Sequence, residues 1–99
     1  MDNKILVVDD ESRMRKLIKD FLMQKGYGII EAENGEKALE IFELEKNNIS
    51  LILLDVMMPK LDGWATLRQI RQVSKIPVVM LTARSEEQDE LFGFELRCR

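Results

Sequence analysis

The 99-residue sequence contains no histidine and only one cysteine, Cys98. Without histidine, the chain lacks the commonest general base and the commonest ligand of transition metals. A single cysteine cannot form an internal disulfide, so the fold does not depend on an oxidising compartment. We therefore expect a cytoplasmic protein whose chemistry does not use imidazole.

The chain also lacks a strong excess of either charge, with 15 Lys and Arg against 18 Asp and Glu. The absence of a basic excess argues against binding to nucleic acid or to an anionic membrane. No apolar run is long enough to cross a bilayer, and residues 1–4 do not begin a secretory signal. The length and the 45% apolar content predict a single domain over residues 1–99, with one hydrophobic core.

Short apolar runs alternate with stretches of helical periodicity along the whole chain. The predicted strands lie at residues 4–8, 27–31, 51–54 and 76–81. Helices are predicted between them and after the last. The first contains the apolar residues from Met14 to Leu22, and the others begin near residues 34, 64 and 85. This alternation predicts an α/β fold with a parallel sheet, right-handed crossovers and helices on both faces.

The predicted helices carry apolar stripes and recognisable ends. Gly26 is expected to end the first helix, Asn34 to cap the second, and Ser85 to open a capping box for the fourth. The stripe of the first helix consists of Met14, Leu17, Ile18, Phe21 and Leu22. The second and third helices are expected to bury Ala38, Ile41 and Phe42, and Trp64, Leu67 and Ile70 or Val73.

Three of the apolar runs end in polar side chains. Asp9 and Asp10 follow the first run, Asp55 follows the third, and Thr82 follows the fourth. In an open parallel sheet these strand ends share one crevice, where ligands bind. Three close carboxylates repel one another unless a cation is present, and Mg²⁺ prefers oxygen ligands. A carboxylate can also attack phosphorus to form an acyl phosphate, so the pattern predicts a cation and a phosphoryl group.

Each of these residues also has a purely structural interpretation. The pair Asp9 and Asp10 precedes a predicted helix and suits a helix cap. Asp55 could begin a turn that includes Pro59, and Thr82 has the β-branched side chain typical of strands. Only the joint pattern favours a functional site.

Three segments together resemble the receiver domain of two-component response regulators, over almost the whole chain. They are Val7-Val8-Asp9-Asp10, Leu54 to Pro59 followed by Asp62-Gly63, and Leu81-Thr82-Ala83. Leu61 to Trp64 and Leu91 to Leu96 are most similar to the OmpR/PhoB branch. The resemblance implies a flavodoxin-like open sheet with strand order 2-1-3-4.

The resemblance also implies roles for the residues at the strand ends. Asp55 would accept a phosphoryl group from a histidine kinase. Asp10 and Asp55 would ligate Mg²⁺ through their side chains, Asp9 would act mainly through water, and Met57 would contribute its backbone carbonyl.

The phosphoryl group would be held by residues that follow the third and fourth strands. Thr82 would rotate inward to hydrogen-bond the phosphoryl group, and the amide of Ala83 would add a second donor. Met57 would also take part in binding the phosphoryl group. In this family the movement of Thr82 is the switch that carries the signal.

The end of the chain departs from the family pattern. A receiver domain normally adds a fifth strand and helix with an active-site lysine and an aromatic switch residue, whereas this chain ends Arg97-Cys98-Arg99. One inserted base would turn codons for Leu-Gly-Ala-Asp-Glu into Leu-Arg-Cys-Arg and a stop, so we hypothesise a frameshift. The expectation is a receiver domain truncated after its fourth helix, with impaired phosphorylation.

A truncated domain would expose the edge of the fourth strand and apolar surface on the first helix, and would self-associate. A non-signalling, self-associating fragment is therefore one alternative function. A phosphatase of the haloacid-dehalogenase type is another, but it is disfavoured because position 57 is methionine where that family has a second acid.

Overall fold

A computed structural model describes residues 4–81 and 97–98 of the chain. The elements are β1 (Lys4–Val8), α1 (Ser12–Gln24), β2 (Gly28–Ala32), α2 (Gly35–Glu45), a short 3₁₀ turn (Lys46–Asn48), β3 (Ile49–Asp55), α3 (Gly63–Val73), β4 (Val78–Leu81) and β5 (Arg97–Cys98). The strands and helices predicted within residues 4–81 are therefore present, with ends that shift by one or two residues. The helix predicted from residue 85 lies outside the described residues.

The sheet has the order β2-β1-β3-β4-β5, and its first four strands are parallel. This confirms the predicted order 2-1-3-4. The fifth position differs from the prediction, because β5 pairs antiparallel with β4, with Cys98 opposite Val79 and Arg97 opposite Met80. The prediction that the edge of the fourth strand is exposed was therefore wrong at Val79 and Met80. The backbone of β5 occupies hydrogen-bonding groups of β4 that a second chain would need.

One face of the sheet carries the main core, which α2 and α3 cover. This core contains Leu6, Val8, Ile52, Leu54, Val78 and Met80 from the strands, with Ala38, Phe42, Leu67 and Ile70 from the helices. The opposite face lies against α1. In β2 the side chains of Ile30 and Ala32 belong to the core, whereas Glu31, between them, contacts Arg15 and Lys19 of α1. Helices therefore lie on both faces, as predicted.

The apolar stripe of the first helix is less buried than its sequence pattern predicted. No residue of α1 is fully buried, and Ile18 and Leu22 are only half-buried. Met14, Leu17 and Phe21 remain 38%, 63% and 57% exposed. The stripe of α1 thus divides into a part that contacts the sheet and a part that faces outward.

The helix ends follow the chemistry of their flanking residues. The amide of Gly26 donates to the carbonyl of Met23, and the amide of Tyr27 donates to that of Leu22, which closes α1 in a Schellman motif. Gly26 has φ +96°, a conformation that residues with a β-carbon rarely adopt. As predicted, Asn34 caps α2, accepting the Lys37 amide at 2.7 Å.

None of the helices within the described part of the chain has the length and apolar content needed to span a membrane.

Candidate metal site at the carboxyl edge of the sheet

The structure brings together the three acids that the sequence places in distant segments. Asp9, Asp10 and Asp55 each offer a carboxylate oxygen, and these oxygens all lie within 4.8 Å of one another. The cause is the parallel pairing of β1 with β3, which sets Val8 beside Leu54, so the residues that follow emerge at the same edge. We call these three side chains the acidic cluster.

Asp9 is the most buried member of the cluster, with 7% of its surface exposed. Its backbone amide donates to the carbonyl of Ala32 at 3.2 Å, which ties the end of β1 to β2. Its Oδ1 accepts the amide of Glu11 at 2.9 Å and so closes a local turn. The N-cap position of α1 is Glu11 and not Asp9 or Asp10, so the helix-cap interpretation of the acid pair is wrong.

Asp55 is the last residue of β3 and is half-buried. Its Oδ1 accepts the backbone amide of Met57 at 3.3 Å, which orients the carboxylate over the loop that follows. This contact agrees with the turn that the structural interpretation proposed. It occupies only one carboxylate oxygen, so the turn and a role in ligand binding are compatible.

The electrostatics of the cluster disfavour a full set of negative charges. Burial, followed by repulsion from Asp9, raises the pKa of Asp55 to about 7, although the Met57 amide opposes the shift. Burial also raises the pKa of Asp9, and the neighbouring Asp10 adds to the shift, while the hydrogen bond from the Glu11 amide opposes it. Asp55 therefore keeps its proton up to about pH 7 unless a cation replaces it.

No lysine or arginine among residues 4–81 forms an ion pair with the cluster. The ion pairs described there join four cations to Glu31, Asp20 and Glu40, and Arg15 acts on Asp9 only from a distance. Three carboxylates and no competing ammonium group are a donor set that suits a hard divalent cation such as Mg²⁺. The residues present therefore fit the cation that the sequence predicted.

Gly63 positions this site, a role that the sequence pattern did not predict. Its amide donates to the carbonyl of Val56 at 3.0 Å, at the first residue of α3. A β-carbon on Gly63 would meet the carbonyl oxygen of Asp55 and would lie 2.7 Å from the α-carbon of Val56. The start of α3 thus presses directly on the backbone that carries Asp55. A glycine directly after the helix-capping Asp62 was the available signal.

The remaining predicted site residues are only partly accounted for. The Met57 side chain is 62% exposed in the loop after β3, and its backbone amide contacts Asp55, while the predicted role of its carbonyl stays a prediction. Trp64 is half-buried and packs against the core, as expected. Thr82 and Ala83 lie outside the described residues.

The fold and the acidic cluster define a class: parallel α/β domains with carboxylates at the carboxyl edge of the sheet. The family model for the response regulator receiver domain matches residues 5–98. CpxR of Escherichia coli (strain K12), a transcriptional regulatory protein, is 47% identical over 94 residues, which are 95% of this chain and 39% of CpxR. ResD of Bacillus subtilis (strain 168) is 49% identical over 94 residues, which are 95% of this chain and 38% of ResD.

A solved structure shows the same similarity. Response regulator TrrA from Thermotoga maritima, in complex with Mg(2+)-BeF, aligns with a TM-score of 0.77 and 40% identity, over 90% of this chain and 76% of that chain. The chain belongs to the response regulator receiver domain family. Its curated relatives CpxR and ResD are regulators of the OmpR/PhoB branch, and it spans less than two-fifths of their length.

Membership of this family places the chain in two-component signalling. Receiver domains are phosphoacceptors that histidine kinases phosphorylate, and they bind Mg²⁺ at an acidic pocket. The predictions of the family and of the fold are thereby confirmed.

Proposed function

We propose that this chain accepts a phosphoryl group on Asp55 from a histidine kinase, in a reaction that depends on Mg²⁺. The observation that carries the proposal is the acidic cluster, in which carboxylate oxygens of Asp9, Asp10 and Asp55 lie within 4.8 Å of one another. A cytoplasmic location is part of the proposal, supported by a sequence whose single cysteine allows no internal disulfide.

Four residues would hold the cation. Asp10 and Asp55 would bind it through their side chains, Asp9 would act through water, and Met57 would supply its backbone carbonyl. When bound, Mg²⁺ offsets the charge of the carboxylates and of the incoming phosphoryl oxygens. The high pKa of Asp55 supports this requirement, because a carboxyl group that is protonated near neutrality is a poor nucleophile.

The transfer itself is a substitution at phosphorus. One carboxylate oxygen of Asp55 forms the new O–P bond, while the P–N bond to the kinase histidine breaks and its electron pair stays with the imidazole. The oxygen held by the Met57 amide stays oriented by that contact, which leaves the other oxygen for attack. Thr82 and the amide of Ala83 would then hydrogen-bond the bound phosphoryl group.

The proposal includes impaired phosphorylation of this 99-residue chain. Its last lysine is Lys75, which precedes β4, so none of its residues matches the active-site lysine that the family places after a later strand. A phosphoryl group with one positive neighbour fewer forms more slowly and is held less tightly.

Intact-protein mass spectrometry tests the phosphorylation directly. Incubation with acetyl phosphate and Mg²⁺ should add one phosphoryl group, and the adduct should disappear in Asp55→Asn and when Mg²⁺ is chelated. Asp20→Asn is the matched control, since it removes an exposed carboxylate of α1. Turnover of external phosphoesters would instead favour the phosphatase alternative. A chain that binds neither Mg²⁺ nor a beryllofluoride mimic would favour the non-signalling fragment.

We also propose that the chain self-associates through α1. Met14, Leu17 and Phe21 are spaced by three and four residues, so they share one face of the helix. All three are more than one-third exposed, which is unusual for a set of neighbouring large apolar side chains. A second copy of the chain would cover this face. The edge of β4 supports this route less well, because β5 pairs with it.

A further inference from the structure

We propose that Arg15 is a positioning residue for the metal site, and that it acts by locking the turn between β1 and α1 onto β2. The inference rests on the proposed Mg²⁺ site. Arg15 lies one helical turn after the acidic cluster, with only 16% of its side chain exposed. It forms no hydrogen bond or ion pair with a carboxylate of the cluster, although its positive charge favours the ionised form of Asp9 from a distance. Its direct contact with this region is to the backbone of Asp9.

The guanidinium of Arg15 joins the residue that follows β1 to β2. Its Nη1 donates to the backbone carbonyl of Asp9 at 2.7 Å, and its Nε donates to Oε1 of Glu31 in β2 at 3.0 Å. The other carboxylate oxygen of Glu31 accepts Nζ of Lys19 at 3.3 Å. A planar guanidinium with fixed N–H directions can hold both partners at once, which a lysine ammonium at the end of a flexible chain does less well.

The same turn sets the direction of the Asp9 carboxylate. Asp9 uses its amide to bind β2, its carbonyl to bind Arg15 and its Oδ1 to accept the Glu11 amide. These contacts leave little freedom for the peptide that also carries Asp10. Loss of the Arg15 contact therefore releases two of the three acids of the cluster.

The charge of Arg15 is balanced away from the cluster. Burial raises the pKa of Glu31, but hydrogen bonds from Arg15 and Lys19 outweigh that effect and the net pKa is lowered, so Glu31 is ionised and pairs with the guanidinium. An unpaired cation at this place would repel Mg²⁺, whereas the paired one contributes geometry with little repulsion. If Arg15 acts through geometry, removing it should weaken Mg²⁺ binding. If it acts through its charge, removing it should strengthen Mg²⁺ binding.

Three variants separate these two effects in a Mg²⁺ titration by calorimetry. Arg15→Met keeps the apolar stem and removes both hydrogen bonds, and should weaken Mg²⁺ binding about tenfold, the usual cost of losing an outer-shell contact. Arg15→Lys keeps the charge but loses the bridge, and should also weaken binding, by less. Lys16→Met, which removes an exposed cation one residue away, should leave affinity unchanged.

Hydrogen exchange of the Glu11 amide in the metal-free protein gives a second readout. Exchange should be faster in Arg15→Met than in wild type and Lys16→Met, because this amide donates to Asp9 within the released turn. Unchanged or tighter Mg²⁺ binding by Arg15→Met, or unchanged binding by Arg15→Lys, would overturn the inference. If Arg15→Met does not fold, Arg15→Lys and its Glu11 exchange decide. If wild type binds no Mg²⁺, the proposed function fails, and the Glu11 exchange still tests whether Arg15 holds the turn.

Discussion

The backbones of Gly63 and Asp55 are in direct contact. Gly63 begins α3 and Asp55 ends β3, and a β-carbon on the glycine would meet the carbonyl oxygen of Asp55 and come within 3.0 Å of its carbonyl carbon. The amide of Gly63 also donates to Val56, the residue after Asp55. The helix can start this close to the strand only because position 63 has no side chain. The start of α3 thereby fixes the position of the backbone that carries the proposed phosphoacceptor, Asp55.

Gly63→Ala should destabilise the protein by about 1–3 kcal/mol or more, the usual cost of forcing an added methyl group into a packed backbone. Gly28→Ala is the matched control, because a β-carbon there would meet only the flexible Lys4 side chain, 3.2 Å away. Urea denaturation of both variants measures the difference. Equal stabilities of the two variants would show that the start of α3 can shift at no cost.

Gly26→Ala should lower the free energy of unfolding by about 1–2 kcal/mol, for a different reason. Nothing lies within 4 Å of a β-carbon at this position, so the cost comes only from the left-handed backbone, with φ +96°. Gly26→Asn should recover part of the loss, because asparagine tolerates this conformation. Thermal unfolding followed by circular dichroism measures both variants. Equal losses in the alanine and asparagine variants would contradict a conformational origin.

Asp55→Asn should stabilise the metal-free protein at pH 8 and have little effect near pH 4. The folded chain keeps a proton on Asp55 up to about pH 7, whereas the unfolded chain releases it near 3.8. The free energy of unfolding of wild type therefore falls as pH rises through this window, and that loss is absent from the amide. With a discount for partial exposure, the gain at pH 8 should be about 1–3 kcal/mol.

Urea denaturation in the presence of a chelator, at pH 4 and at pH 8, measures this effect. Glu43→Gln, which neutralises an exposed carboxylate of α2, serves as the control and should show no comparable dependence. A gain for Asp55→Asn that is the same at both pH values would mean that the cluster does not raise the pKa of Asp55.

Leu17→Glu should reduce self-association without loss of stability. Leu17 is 63% exposed and lies between Met14 and Phe21, so a charge placed there interrupts the outward apolar face of α1. Leu44→Glu is the control, since Leu44 is 83% exposed on α2. Sedimentation velocity over a range of concentrations measures the result. A wild-type chain that stays monomeric at high concentration would contradict the proposed contact.

Sequence patterns predicted much of this molecule. Buried strands such as Lys4–Val8 appear as continuous apolar runs, because both of their faces are covered. The helix ends predicted at Asn34 and Gly26 were also confirmed, because capping hydrogen bonds join residues only a few positions apart. Parallel pairing then places the strand ends at one edge, so the meeting of Asp9, Asp10 and Asp55 was predictable from their positions after the strands.

Other features depended on contacts that no local pattern specifies. The outward face of α1 and the half-burial of Ile18 depend on how closely the helix packs on the sheet, which periodicity alone does not report. The bridge from Arg15 to Asp9 and Glu31 joins positions six and sixteen residues apart.

The sequence by itself determined the alternating elements, the strand order through family resemblance, and the acids at the strand ends, because these follow from periodicity and chain order. The tertiary structure alone decided that Gly63 contacts the Asp55 backbone, that Arg15 locks the Asp9 turn, and that β5 pairs with β4. Those features depend on distances of a few ångströms between segments far apart in the chain, and such distances are set only when the elements pack together.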